Sequence, residues 1–73
     1  MAQETVESPI PGKIISVDVK VGDRVNEGDV LCMLESMKME NPILAPVAGT
    51  ITEINVSAEQ TVDAGVLLVI IEY

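Results

Sequence analysis

Lys38 lies between two methionines, Met37 and Met39, at the middle of this 73-residue chain. It is one of only four basic residues, and Glu35 and Glu40 stand on either side of the Met-Lys-Met centre. A lysine amine becomes a nucleophile once it loses its proton, and it can then form a covalent bond. The unbranched, polarisable methionine side chains suit adaptable contacts with different surfaces. The centre therefore predicts a lysine presented for attachment of a group.

The chain consists of two similar halves, and Lys38 lies at their junction. An offset of 37 residues superimposes 8–35 on 45–72 without a gap. The identical pairs are Pro9/Pro46, Gly12/Gly49, Ile14/Ile51, Val19/Val56, Val25/Val62, Gly28/Gly65, Leu31/Leu68 and Glu35/Glu72. Two copies are too few to stack into a solenoid. They predict one domain, 1–73, whose halves (about 1–36 and 38–73) are related by a pseudo-two-fold axis. The termini would then lie at one end and Lys38 at the other.

The hydrophobic pattern predicts β-strands throughout. Apolar and polar residues alternate from Ile15 to Val21 and again from Glu53 to Ala58, which is typical of half-buried strands. Two short apolar runs, 30–34 and 66–71, follow glycine turns and predict fully buried strands. The predicted strands are 4–8, 12–20, 30–36, 39–45, 49–57 and 66–72, with very short ones near 24–25 and 61–62. Two small antiparallel sheets would form an all-β flattened barrel or sandwich.

The predicted hairpin around Lys38 breaks a local rule. A two-residue hairpin turn needs positive φ at both central positions, and it usually contains Asn-Gly or Asp-Gly. The segment Ser36–Glu40 contains no Gly, Pro, Asn or Asp. Departures of this kind concentrate at functional sites. The residue types in this segment are equally compatible with a slightly longer loop in which Lys38 is a solvated surface charge.

Other residues are predicted to be structural. Gly12, Gly28, Gly49 and Gly65 are expected at turns, and Val25 and Val62 in the core. Cys32 corresponds to Val69 in the repeat, which favours a buried hydrophobic residue over a nucleophile.

Composition excludes several functions. The net charge of −8 argues against a nucleic-acid partner, because no basic surface is available to neutralise phosphates. The chain has no histidine, and its carboxylates do not have metal-ligand spacing, so neither a metal site nor a self-contained hydrolase is expected. The start, MAQETVES, lacks the basic and apolar segments of a secretory signal, and no apolar run is long enough to cross a bilayer.

Ser36-Met37-Lys38-Met39 in a hairpin, between halves that each contain Pro-x-x-Gly and Val-x-x-Gly, resembles the biotinyl (biotin carboxyl carrier) domain of biotin-dependent carboxylases and decarboxylases. The resemblance covers essentially residues 8–72. The gapless repeat leaves no room for the protruding thumb of some bacterial carriers, so the likeness is to the thumbless type. It implies the barrel-sandwich hybrid fold, which biotinyl and lipoyl domains share.

The resemblance also implies a function. Lys38 would carry covalent biotin, attached by a biotin protein ligase, with Met37 and Met39 as the flanking recognition motif. A biotin carboxylase would load a carboxyl group, and a carboxyltransferase would move it to or from an acceptor. The domain would be a carrier without catalytic residues of its own. Its location would be the cytoplasm, or the mitochondrial matrix in a eukaryote, in some cases beside a membrane decarboxylase through its partners.

Two other function classes are compatible with the same architecture. A lipoyl domain also carries its cofactor on a hairpin lysine, but the family centre is Asp-Lys-Ala, which Met37-Lys38-Met39 does not match. An unmodified binding module of the same barrel type is the second alternative. The chain is either a free-standing carrier or part of a longer one. The identity of the acceptor belongs to the carboxyltransferase rather than to this chain.

Overall fold

The computed structural model describes residues 2–73, which fold into eight β-strands. The strands are β1 (Gln3–Glu7), β2 (Gly12–Val17), β3 (Arg24–Val25), β4 (Val30–Ser36), β5 (Met39–Leu44), β6 (Gly49–Ile54), β7 (Thr61–Val62) and β8 (Leu67–Glu72). They form two antiparallel four-stranded sheets, ordered β1-β8-β6-β3 and β5-β4-β2-β7. The predicted all-β fold of two small sheets is confirmed. Residues 2–73 contain no helix that could serve as a membrane span.

The two sheets are related by the sequence repeat. The 37-residue offset carries β1–β4 onto β5–β8, and it also turns the strand order of one sheet into that of the other. Each sheet takes strands from both halves of the chain. Neither half can therefore complete a sheet alone, so the two copies are interdependent rather than two stacked units.

The core lies between the two sheets and consists almost entirely of aliphatic side chains. Eight of its side chains are almost completely buried: Ile14, Leu31, Leu34, Ile51, Leu68, Ile71, Val69 and Cys32. Each large aliphatic side chain buried in this way stabilises the fold by roughly 1.5–3 kcal/mol. Val25 and Val62, from the two very short strands, are each 3% exposed, which confirms them as core residues.

In the two segments where apolar and polar residues alternate, the strands end earlier than predicted. β2 stops at Val17 and β6 at Ile54, and each strand has a bulge at the same repeat position. An extra residue in a bulge resets which side chains face inward. Ile14 is therefore the buried residue and Ile15 is only partly buried. Val21 is 63% exposed, so the alternation that was predicted to continue to this residue is wrong there.

The four paired glycines have two different roles. Gly28 and Gly65 have φ of 91° and 88°, which confirms that they occupy equivalent turns in the left-handed region. Gly12 and Gly49 instead begin strands, so the turn prediction is wrong for them. A Cβ on Gly12 would lie 2.5 Å from the carbonyl oxygen of Glu35, and Gly49 faces the equivalent carbonyl in β8. Close approach of two backbones, rather than backbone conformation, requires glycine at these two positions.

The chain termini and the central hairpin lie at opposite ends of the molecule. Ala2 and Tyr73 exchange two backbone hydrogen bonds of 2.9 Å, so both chain ends meet where β1 begins. β1 ends at Glu7, and after four intervening residues β2 begins at Gly12, beside Glu35 at the hairpin end of β4. β1 therefore runs from the termini towards the hairpin. The molecule measures 36 Å along its longest axis.

Candidate functional site

Met37 and Lys38 form the whole of a two-residue turn between β4 and β5. The ladder between the strands extends to the pair Ser36 and Met39, which leaves only these two residues to connect them. Met37 has φ of 54° and Lys38 has φ of 64°. Two successive positive φ values in a two-residue hairpin are the signature of a type I′ turn. The structure therefore contains the tight turn rather than the longer loop.

The conformation of this turn is imposed by the strands. A left-handed conformation costs an L-residue roughly 1–2 kcal/mol, and Met and Lys have no special tolerance for it. β4 pairs with β2 on one side and β5 on the other, and its Leu31, Cys32 and Leu34 are buried. A strand anchored in this way fixes the register of β5, so the turn residues must accept the strained geometry.

The three side chains of the centre are exposed at the tip. Met37 is 91% exposed and Met39 66%, and the Lys38 side chain between them is also exposed. Methionine is usually buried, and exposed apolar residues that cluster mark contact sites. Lys38 has no salt-bridge partner among residues 2–73. The amine is therefore held at a defined place but remains free to react within another protein's active site.

Charged residues surround the base of the hairpin. Glu35 stands opposite Glu40 in the ladder, an arrangement of like charges that does not favour strand pairing. On the other side of β4, Glu35 stands opposite Lys13 of β2. Lys13 forms an ion pair of 2.8 Å with Glu59. The hydrogen bond and negative charge of Glu59 raise the pKa of Lys13 above its usual value, so its amine is more firmly protonated.

This ion pair breaks the two-fold symmetry. Glu59 has φ of 75°, and its repeat equivalent is Gly22, with φ of 96°. The repeat equivalent of Lys13 is Thr50, so the end of the molecule that carries the termini has no corresponding pair. The sequence interpretation missed Glu59 as a feature of the lysine end. The available signal was a charged residue at the repeat position of a turn glycine.

Cys32 is not a reactive group. Its side chain is fully buried and it has no disulfide partner among the described residues. Burial, with a smaller contribution from the charge of Asp18, raises the pKa of the thiol to about 11. The residue stays protonated at neutral pH, which confirms the prediction of a buried hydrophobic residue.

A separate concavity lies between the edge strands β1 and β5. It is an open groove of about 370 Å³, with Val6 and Ile43 in its floor and Glu4 and Glu7 on one wall. None of residues 37–39 lines it. Residues 2–73 also contain no cluster of side chains that could hold a metal ion. The lysine centre thus projects from the surface, and its geometry suits chemistry performed in a partner's pocket.

Comparison with known proteins gives consistent results. The family model described as "Biotin-requiring enzyme" matches residues 4–71. The chain is 53% identical over 64 residues to a biotin carboxyl carrier protein of Streptococcus mutans, covering 88% of this chain and 49% of that protein. It is 44% identical over 68 residues to the biotinylated protein TB7.3 homolog of Mycobacterium leprae, covering 93% of this chain and 96% of that protein.

A solved structure has the same fold. The crystal structure of the Kluyveromyces lactis urea carboxylase superimposes with a TM-score of 0.91 at 29% identity. The match covers 99% of this chain and 6% of that protein. The chain thus spans about half the length of the Streptococcus relative and a small part of the urea carboxylase.

Proposed function

Because the chain belongs to the family of biotin-requiring enzymes, we propose that it is a biotin carboxyl carrier and that Lys38 is its attachment residue. The observation that carries this assignment is the exposed type I′ turn, which presents the Lys38 amine at the tip of a hairpin whose strands pair as far as Ser36 and Met39. When bound, biotin supplies a ring nitrogen that can hold a carboxyl group in transit. The carrier contributes position and mobility, and the bond chemistry belongs to its partners.

The other lysines are poorer acceptors. Lys13 lies within β2 and is engaged by Glu59 at 2.8 Å. Lys20 lies in a loop whose backbone is fixed by a hydrogen bond of 2.9 Å from its amide to the Asp23 carboxylate. Neither is at a hairpin tip, and neither is flanked by methionines. The position of Lys38 at the hairpin tip, and the engagement of Lys13 in an ion pair, together favour Lys38 as the acceptor of biotin.

Acylation of Lys38 requires a partner that removes a proton. A lysine amine is overwhelmingly protonated near neutral pH, and only the neutral amine attacks an activated carboxyl group. No side chain of residues 2–73 forms a salt bridge with Lys38 that could serve this purpose. A biotin protein ligase would therefore supply both the base and the positioning, and the resulting amide removes the positive charge of Lys38.

The carrier would then serve two further partners, a biotin carboxylase and a carboxyltransferase. The termini and the hairpin lie at opposite ends of the molecule, so a tether at the termini leaves the Lys38 end free. A tethered carrier raises the effective concentration of its cargo at both active sites. This proposal locates the chain with its carboxylase, in the cytoplasm or the mitochondrial matrix.

Substitution of each lysine tests the attachment site. The wild type and the variants Lys38→Arg, Lys13→Arg and Lys20→Arg are incubated with a biotin protein ligase, biotin and ATP, and intact mass is measured. Lys38→Arg should incorporate no biotin, and the two control variants should be modified fully. Circular dichroism should show unchanged folding in Lys38→Arg, because exposed turn charges contribute little to stability. Biotin incorporation by Lys38→Arg would refute the assignment.

A second experiment tests Met37 and Met39 as the recognition motif. Met37→Asp combined with Met39→Ala converts the centre to the Asp-Lys-Ala of lipoyl domains. The exposure of both side chains predicts a melting temperature within a few degrees of wild type. Biotinylation or later carboxyl transfer should fall by a large factor, and a lipoyl ligase is offered the variant in parallel. Wild-type rates in both reactions would make the methionines incidental, and unfolding would show that they support the fold.

A further inference from the structure

Among residues 2–73, the side chains most open to oxidation lie on either side of Lys38. Met37 is 91% exposed and Met39 66%, whereas Met33, in the buried strand β4, is only partly exposed. Peroxides attack the thioether sulfur directly, so access to solvent controls which methionine reacts first. Among the described residues, oxidation of methionine should begin at the hairpin tip.

The only cysteine does not compete for oxidant. Thiols react as thiolates, and Cys32 is fully buried with a pKa raised to about 11. Its thiolate is scarce at neutral pH and no peroxide can reach it without local unfolding. Among residues 2–73, an oxidant should therefore react first with the two methionines beside Lys38.

We propose that Met37 and Met39 form a reversible sulfoxidation site that switches Lys38 off as a carrier residue; this inference rests on the function proposed above. The oxidant is hydrogen peroxide or an organic hydroperoxide. The thioether sulfur forms a bond to one peroxide oxygen as the oxygen–oxygen bond breaks. The sulfur loses two electrons, and the other oxygen leaves as water or an alcohol after taking up a proton. A methionine sulfoxide reductase returns the sulfoxide to the thioether: two thiols supply two electrons and form a disulfide, and the oxygen leaves as water.

The effect of the sulfoxide should be local. Both side chains are exposed and neither belongs to the core, so the added oxygen meets no packed neighbour and the fold is retained. A partner that covers the tip would have to bury a strongly polar sulfoxide where it had contacted a thioether. Burial of an unpaired polar group is costly, so recognition of Lys38 should weaken.

Peptide mapping tests the site. The full chain is treated with dilute hydrogen peroxide at neutral pH, and the oxidised fraction of each methionine peptide is followed in time. Met37 and Met39 should oxidise at least about threefold faster than Met33, since only accessible sulfur reacts quickly. Cys32 should remain unmodified by oxidant and by an alkylating reagent. Oxidation of Met33 at the same rate as the other two would overturn the inference.

A transfer assay tests the switch. Biotinylation by a ligase and carboxyl transfer by the partner enzymes are measured before peroxide, after peroxide and after treatment with sulfoxide reductase. At least one rate should fall about tenfold or more in parallel with sulfoxide at Met37 and Met39, and the reductase should restore it. Met33→Leu combined with Cys32→Val is the matched control, and it should retain the full sensitivity to peroxide.

The outcomes separate the two proposals. If untreated protein accepts biotin at Lys38 and oxidised protein works at an unchanged rate in both reactions, the switch is refuted and the carrier function stands. Loss of peroxide sensitivity in the control variant also refutes the switch. If untreated protein incorporates no biotin, both proposals fail.

Discussion

Replacement of Met37 by asparagine should make the fold more stable, because Met37 occupies a conformation that suits asparagine better. Its φ is 54°, and its side chain is 91% exposed, so no packing contact is lost. A left-handed residue costs roughly 1–2 kcal/mol, and asparagine is several-fold enriched there. Recovery of about half of that cost gives a gain of roughly 0.5–1 kcal/mol. For a domain of this size the melting temperature should rise by about 2–8 °C.

Urea unfolding followed by far-ultraviolet circular dichroism measures this change, since the chain contains no tryptophan and a single tyrosine. Met39→Asn is the matched control. It makes the same chemical change two residues away, at a paired strand position whose φ is not positive. Asparagine is unfavourable in strands, so the control should lose a little stability. A loss of stability in Met37→Asn, or an equal change in both variants, would refute the argument that strain resides in the turn.

Four further variants test other parts of the structure. Gly28→Val and Gly65→Val should each destabilise by roughly 1–3 kcal/mol, and a wild-type urea midpoint for either would show that positive φ is not required there. The pKa of Cys32 is raised to about 11 from an ordinary 9.0, so burial of the neutral thiol contributes roughly 3 kcal/mol to the free energy of unfolding below pH 9, and this contribution is lost as pH rises towards 11. Cys32→Val should flatten that alkaline loss in a pH series of unfolding curves. In 1 M salt, Glu59→Gly should melt above wild type, because the exposed ion pair with Lys13 is screened while the left-handed strain at Glu59 remains; a lower melting temperature would contradict this.

The repeat explains why so much of the fold could be predicted from the sequence. Each strand was predicted twice, once in each half, and tertiary pairing follows the same offset. The period-two pattern failed at Ile15, where β2 carries a bulge, because a bulge adds a residue without leaving a compositional signal. Ile15 was therefore expected to begin the inward-facing series, and the structure buries Ile14 instead.

The candidate site was predictable in position but not in conformation. The spacing of the two strands around Lys38 predicted a hairpin, and the absence of Asn and Gly from its turn indicated a functional site. Turn chemistry alone could not distinguish a strained two-residue turn from a longer loop. The anchoring of β4 between two neighbours decides between them, and that is a tertiary property. The ion pair between Lys13 and Glu59 joins residues far apart in sequence, so no local pattern predicts it.

The hydrogen bonds between Ala2 and Tyr73 make the chain almost circular. By the 37-residue offset, this pair corresponds to Met39 and Ser36, the pair that closes the central hairpin. Ala2 and Tyr73 therefore occupy the place of the pair that closes a second hairpin turn. A short turn that joined Tyr73 to Ala2 would produce a cyclic protein with two equivalent tips, and the chain could then be cut elsewhere to give a circular permutant. Under the proposed function, a Met-Lys turn at the new junction would give a carrier with one acceptor lysine at each pole.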